Sequence, residues 1–219
     1  MSNYPYVPYG TTVHGEDEIN AVVNVLKTST QMGKNVRELE EKVAGLYNKK
    51  YGIGVNSGSS ALYLAADLLN YDEGTEIITP ALTFSTTVAP LVKRKWIPAF
   101  VDVEEGTYNI DAAKIEEMIS SKTKAMVIPN LIGNLPNWKQ IREIADKHNI
   151  FLLEDSADTI GAEIDGGSSG RFTDMSTTSF YGSHIMNCAG NGGMLCVNSE
   201  AHYQRGKLLR SWGRSSSLF

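Results

Sequence analysis

Ile150-Phe151-Leu152-Leu153-Glu154-Asp155-Ser156-Ala157-Asp158 is the stretch on which the fold turns. Four apolar residues in succession, followed at once by acidic ones, describe a strand covered on both faces that ends at a polar rim. In open α/β sheets, ligands bind beyond the carboxyl ends of the strands. A carboxylate at this rim is placed to hold a protonated ring nitrogen or a metal, and it fits a cap or surface turn equally well.

Similar runs lie upstream: Glu76-Ile77-Ile78-Thr79, Pro98-Ala99-Phe100-Val101 and Ala125-Met126-Val127-Ile128. Helical spacing separates them, over residues 84–92, 111–119 and 137–148. Nearer the N-terminus, Ile19, Val22, Val23 and Leu26 give residues 17–26 a helical period, and Leu39, Val43 and Leu46 do so for 36–47. A third helix, 59–69, opens directly after Asn56-Ser57-Gly58. Downstream, residues 175–181 and 193–197 read as strands and 201–211 as a helix. Strand and helix alternating at this spacing predict an α/β fold, a doubly wound, mainly parallel sheet flanked by helices. No repeat, low-complexity tract or linker interrupts residues 1–219, which read as one domain.

The composition bounds the function. The 219 residues are 42% hydrophobic and 21% charged, with a net charge of -5. That is ordinary globular composition with room for a sizeable core. It shows no basic stripe for nucleic acid and no apolar run long enough to span a membrane. Met1-Ser2-Asn3-Tyr4-Pro5 has no signal pattern, so a cytoplasmic location is expected. Cys188 and Cys196 form no C-x-x-C pair, and no metal-ligand spacing is present.

Two further segments can carry chemistry. Asn56-Ser57-Gly58-Ser59-Ser60 at a helix start suits an anion, because small residues admit close approach and the N-terminus offers N–H groups and a favourable dipole. A plain N-cap explains the same residues, and no Walker lysine follows. Ser179-Phe180-Tyr181-Gly182-Ser183-His184, with Ala189-Gly190-Asn191-Gly192-Gly193 after it, ends a strand with residues that admit a ligand. His184 has a ring suited to proton transfer, although a lone histidine is more often simply packed.

Taken together, the order and spacing of these segments resemble the sugar aminotransferases of the DegT/DnrJ/EryC1/StrS family, which are fold-type-I pyridoxal-phosphate enzymes. The resemblance runs from about Tyr9 to Arg214. It includes Gln31-Met32-Gly33, Ser57-Gly58-Ser59-Ser60-Ala61-Leu62 and Thr79-Pro80-Ala81-Leu82-Thr83-Phe84. It continues through Phe100-Val101-Asp102-Val103, Leu131-Ile132-Gly133-Asn134, Leu153-Glu154-Asp155-Ser156-Ala157 with Gly161-Ala162, and Ser179-Phe180. The resemblance implies that Gly58, Ser59, Ser60 and Ser179 hold the cofactor phosphate, that Phe84 stacks on the pyridine ring, and that Asp155 pairs with the ring nitrogen.

The family's Schiff-base lysine falls five residues after the serine, where this chain has His184. No lysine occurs between His148 and Gly206, so a register slip cannot supply one. The resemblance therefore narrows to the 3-dehydratases that act on nucleotide-linked 4-keto-6-deoxy sugars for surface polysaccharides such as lipopolysaccharide O-antigen. These use pyridoxamine phosphate, with the histidine as base. Asp158, where the aminotransferases carry Gln or His, sits near the sugar in that reading. One style of dehydratase holds an iron–sulfur cluster through cysteines after Trp-Gly-Arg. Here Trp212-Gly213-Arg214 is followed by Ser215, Ser216 and Ser217, so no cluster is expected.

Members of the family are longer than this chain, so their C-terminal small domain is expected to be missing here. A fragment, a truncated chain and one half of a split enzyme all fit. The resemblance further implies a homodimer, with a C-terminal partner chain if the enzyme is split. Two alternatives stand beside the dehydratase: an aminotransferase homologue that lost its lysine, and a non-catalytic partner subunit.

Overall fold

The computed structural model describes residues 5–8, 10, 11 and 13–215. Tyr9, where the resemblance begins, and Ser216 and Ser217 lie outside the described residues, as do Met1 to Tyr4.

The chain begins with α1 (Glu16–Thr28) and α2 (Lys34–Leu46), then β1 (Tyr51–Val55), α3 (Gly58–Leu69), β2 (Glu76–Pro80), α4 (Ser85–Lys93) and β3 (Ile97–Val101). It continues through β4 (Thr123–Pro129), α5 (Trp138–His148), β5 (Phe151–Ser156), β6 (Glu163–Ile164), β7 (Gly167–Ser168), β8 (Met175–Ser179), β9 (Gly193–Val197) and α6 (Glu200–Arg210). Seven of the strands form one sheet in the order β1-β9-β8-β5-β4-β2-β3. Only β9 runs against the rest, antiparallel to both β1 and β8. The sheet is mainly parallel, as the sequence predicts, and β6 and β7 form a separate small hairpin.

The apolar runs of β2, β4 and β5 are buried on both faces, whereas β3, at the edge of the sheet, leaves Ile97 and Phe100 exposed, against the expectation for its run. Ile77, Val127, Leu153, Met175 and Leu195 pack one face against Leu62, Ala65 and Leu68 of α3 and Leu91 of α4. Ile78, Met126, Ile128 and Leu152 pack the other against Trp138, Ile141 and Ala145 of α5. Successive side chains of β5 thus enter opposite cores, which is why its run does not alternate.

The structure adds a strand that periodicity does not show, β1, and corrects two further local expectations. β1 escapes a periodicity reading because Gly52 and Gly54 interrupt it. The structure explains those glycines: a Cβ on Gly52 would lie 2.3 Å from the Glu40 carbonyl oxygen, so α2 packs directly on the strand backbone. Residues 111–119 form no α-helix but two single 3₁₀ turns, Ala112–Lys114 and Glu116–Met118. Ala112 and Ile115, three apart, are the buried pair there, a spacing that suits a three-residue turn. The strand expected over 175–181 stops at Ser179, where the chain leaves for the loop that carries His184.

Helix α1 forms as its period predicts, yet none of its residues is buried. No helix among the described residues is long and apolar enough to cross a membrane.

Candidate active site

The carboxyl ends of β5 and β8, the start of α3 and the start of α4 meet at one rim. Asp155 is the second-last residue of β5 and pairs with Thr177 of β8. Its side chain points to the face covered by α3 and α4, whereas Glu154 points to the other. Asp155 is only 6% exposed. Its Oδ2 accepts the Thr87 hydroxyl at 2.8 Å, and its Oδ1 accepts the Ala157 N–H at 3.2 Å. Burial pushes its carboxyl up to about 6, against the lowering effect of those two donors, while Asp158 and Glu154 push it further up. A carboxylate so desolvated, with lone pairs left over, is suited to a cationic partner.

The start of α3 is a built cap. The Ser57 hydroxyl accepts the Ser60 N–H at 3.0 Å, and the Ser60 hydroxyl donates to Asn56 Oδ1 at 2.6 Å. Both donors of Ser60 are thereby engaged inside the turn. Gly58 and Ser59 are the first two residues of the helix, where N–H groups have no partner within it. Gly58 lies against Ser179 so closely that a Cβ on it would come within 2.7 Å of the Ser179 Cβ. This contact requires glycine and brings the helix N-terminus to the end of β8. The close approach of N–H groups, a dipole and a serine hydroxyl is the donor set a phosphate takes.

Phe84 caps α4 and is 69% exposed, one turn before the Thr87 that touches Asp155. An aromatic ring left open three residues before the one that touches the buried carboxylate is available to a flat ligand.

His184 sits at the near bend of the 180–192 loop, its N–H donating to the Tyr181 carbonyl at 2.9 Å. That loop closes where the Phe180 N–H meets the Gly192 carbonyl at 2.8 Å. His184 Nε2 is 3.8 Å from Asp158 Oδ1, within ion-pair reach but beyond a hydrogen bond. Its Nδ1 is buried and has no hydrogen-bond partner among the described residues. Asp158 is pinned from the other side, because its Oδ2 accepts the Ile132 N–H at 3.2 Å. Ile132 and Gly133 have positive φ, 49° and 85°, so the Leu131-Ile132-Gly133-Asn134 segment is the turn that presents this N–H.

Sequence reasoning missed a second carboxylate centre. Glu154 is completely buried on the opposite face. It accepts Asn130 Nδ2 at 3.0 Å, Ser156 and Ser169 hydroxyls at 2.7 Å each, Ser176 at 2.9 Å and Thr173 at 3.1 Å. Lys49, also buried, donates to the carbonyls of Gly170 and Thr173 nearby. Adjacent to an apolar run, Glu154 reads from sequence as one more rim carboxylate; of its five hydroxyl and amide partners only Ser156 is near it in the chain, while Asn130 precedes it by 24 residues and Ser169, Thr173 and Ser176 follow it by 15 to 22.

Cys196 is buried in β9 and Cys188 is exposed in the loop. Among the described residues, no group of three or more His, Cys, Asp or Glu side chains could hold a metal. A groove of about 680 Å³ between α2, α3 and the end of α6 is lined by Val36, Leu39, Tyr63, Phe180, Leu209 and Arg210. None of Asp155, Asp158, Ser179 or His184 lines it, and Arg210 there is engaged by Glu40. It reaches the α3 cap through Asn56 and Ser60, but lies to one side of the titratable groups at the rim.

Known proteins resemble this chain in sequence and in fold. The chain is 34% identical over 218 residues to dTDP-4-dehydro-2,6-dideoxy-D-glucose 3-dehydratase of Saccharopolyspora spinosa, covering 96% of this chain and 47% of that protein. It is 32% identical to GDP-perosamine synthase of Caulobacter vibrioides, covering 97% of this chain and 58% of that one. Two solved structures of GDP-4-keto-6-deoxymannose-3-dehydratase superpose on it. One, with a trapped PLP-glutamate geminal diamine, is 31% identical with a TM-score of 0.90, covering 95% of this chain and 55% of that one. The other, a histidine-to-asparagine mutant with bound GDP-perosamine, is 32% identical with a TM-score of 0.85, covering 90% and 53%. The chain spans about half the length of the curated relatives it matches. The DegT/DnrJ/EryC1/StrS aminotransferase family model matches residues 12–218, and the chain belongs to that family.

Proposed function

We propose that this chain supplies the large domain of a pyridoxamine-phosphate-dependent enzyme that removes the C3 hydroxyl of a nucleotide-linked 4-keto-6-deoxy sugar. The observation that carries the reading is His184. It stands five residues after Ser179, at the position of the family's lysine, beside Asp158 and with an unpartnered buried nitrogen. An imidazole does not form the stable imine that a lysine amine forms, but it does accept and return protons near neutral pH.

The residues present fit the cofactor. Gly58, Ser59 and Ser179 offer a phosphate cradle that a Cβ would fill. Phe84 would lie on the ring, and Asp155 would face its nitrogen. When bound, the cofactor supplies an electron sink and an amino group for the 4-keto carbon. Asp155 holds a negative charge where the ring nitrogen needs its proton kept. His184 would serve as the base for the methylene carbon of the bound cofactor. Asp158, 3.8 Å away, would stabilise the imidazolium that results, and the family resemblance puts it near the sugar. Ser60, whose two donors serve the cap, contributes less to the phosphate than Gly58 and Ser59.

Further parts of the reading follow from the family's plan. The small domain comes from a segment beyond this chain or from a partner chain, the working enzyme self-associates, and a nucleotide-sugar substrate goes with a cytoplasmic role in deoxysugar synthesis.

The test is product analysis. Protein loaded with pyridoxamine phosphate is mixed with a 4-keto-6-deoxy sugar nucleotide, and the sugar is examined by mass spectrometry. Loss of the C3 oxygen with the C4 ketone retained is expected, so that the sugar is lighter by one oxygen; the two electrons come from the pyridoxamine form becoming the aldehyde form, and its nitrogen leaves as ammonia. Transfer of nitrogen to C4 with the C3 oxygen retained would establish the aminotransferase alternative instead.

A further inference from the structure

We propose that Thr83 and Thr87 form a hydroxyl relay that orients the Asp155 carboxylate and keeps it ionised, which makes Thr87 a positioning residue for the cofactor ring. The inference rests on the reading of Asp155 as the ring partner.

Three observations carry it. Thr87 is completely buried on α4, and its hydroxyl donates to Asp155 Oδ2 at 2.8 Å. The Thr83 hydroxyl, one turn earlier, donates to the Thr87 hydroxyl at 2.8 Å. A hydroxyl has one proton. Because Thr87 accepts from Thr83, its single proton is committed to Asp155, and the direction of the chain is set. Each donor in such a chain polarises the next, which strengthens the last bond.

The arrangement answers a physical difficulty. Asp155 lies deep enough that burial favours its neutral form, and a neutral carboxyl is a poor partner for a protonated ring nitrogen. The charged groups around it, Glu154 on the same strand and Asp158 beyond it, both add to that tendency. Besides the Ala157 N–H, Thr87 is the donor that opposes it. The bond also fixes a rotamer. With Oδ2 held by α4 and Oδ1 by the backbone of residue 157, the carboxylate cannot turn. Thr83 directly precedes Phe84, so one turn of α4 positions both the ring's proposed stacking partner and its proposed charge partner.

The test uses Thr87→Val, which keeps the shape and removes the hydroxyl, and Thr87→Ser, which restores it. Cofactor-free protein carrying ¹³C-carboxyl aspartate is titrated by NMR, with Asp155→Asn identifying the resonance. In Thr87→Val the Asp155 midpoint should rise by roughly one pH unit or more, the effect of losing a donor to a charged group, and Thr87→Ser should return it. Thr83→Val, at a half-buried position, should raise it less; this variant keeps the test sharp if Thr87→Val does not fold. With ¹⁵N-labelled pyridoxamine phosphate bound, the ring nitrogen should lose its proton at lower pH in Thr87→Val than in the parent. An unmoved Asp155 midpoint in both valine variants would overturn the relay. A moved midpoint with a ring nitrogen indifferent to both Thr87→Val and Asp155→Asn would uphold the relay and overturn the reading of Asp155 beneath it.

Discussion

Replacing Asp155 by asparagine should make the cofactor-free protein more stable at neutral pH, while removing what the site needs. Asp155 is 6% exposed, and burial raises its carboxyl from the ordinary 3.8 to about 6. A rise of that size corresponds to about 3 kcal/mol, the free energy of holding the charge in the folded chain. The sign follows from proton counts. Between pH 3.8 and about 6 the folded state keeps a proton that the unfolded state has released, so stability falls as pH rises through this window and levels off above it. Asparagine has no charge to desolvate, although its amide would meet the Ala157 N–H poorly, so about 3 kcal/mol is the upper end of the gain. Urea unfolding of both proteins without cofactor, at pH 4 and pH 8, measures the effect. The variant should be the more stable at pH 8, and the advantage should vanish toward pH 4. With pyridoxamine phosphate in excess the order should reverse at pH 8, because only the parent gains from a charged ring nitrogen. A variant less stable than the parent by the same amount at both pH values would refute the assignment of Asp155 as a carboxylate held in waiting for a cation.

Other expectations follow from the same geometry. Gly58→Val places side-chain atoms into Ser179, where even a Cβ would stand 2.7 Å from its Cβ, so the affinity for pyridoxamine phosphate should fall roughly 10- to 100-fold in equilibrium dialysis. Glu154→Ala removes the common acceptor of five buried donors and should cost about 3 kcal/mol in urea unfolding. His184→Asn should bind cofactor as the parent does but turn over roughly 10²-fold more slowly, the usual contribution of a positioned base; an undiminished rate would make the histidine a packed residue.

The sheet was legible in the sequence because its central strands are covered on both faces and so read as apolar runs, and β5 with its acidic end located the rim. β1 was not legible, since its glycines answer to the backbone of α2, which lies in another part of the chain. The role of Glu154 was hidden for a similar reason. A carboxylate's partners cannot be read from its neighbours when Asn130, Ser169, Thr173 and Ser176 reach it only through folding. Gly58 and Ser179 were each visible, but their contact depends on α3 meeting β8. Asp158 could be placed near the sugar only through the resemblance; its hold on Ile132 comes from a left-handed turn that no periodicity announces. Helix α1 was readable from the spacing of Ile19, Val22, Val23 and Leu26, which form its exposed apolar face.

The central claim is that residue 184 occupies the place from which a lysine would reach the cofactor. His184→Lys tests it directly. The variant is mixed with pyridoxal phosphate, its visible absorbance is recorded, and the product is reduced with borohydride and mapped by mass spectrometry. The account predicts a yellow protein whose cofactor is fixed to residue 184, where the parent gives neither. A colourless variant, or attachment to Lys147, Lys207 or any other native lysine with residue 184 unmodified, would contradict it.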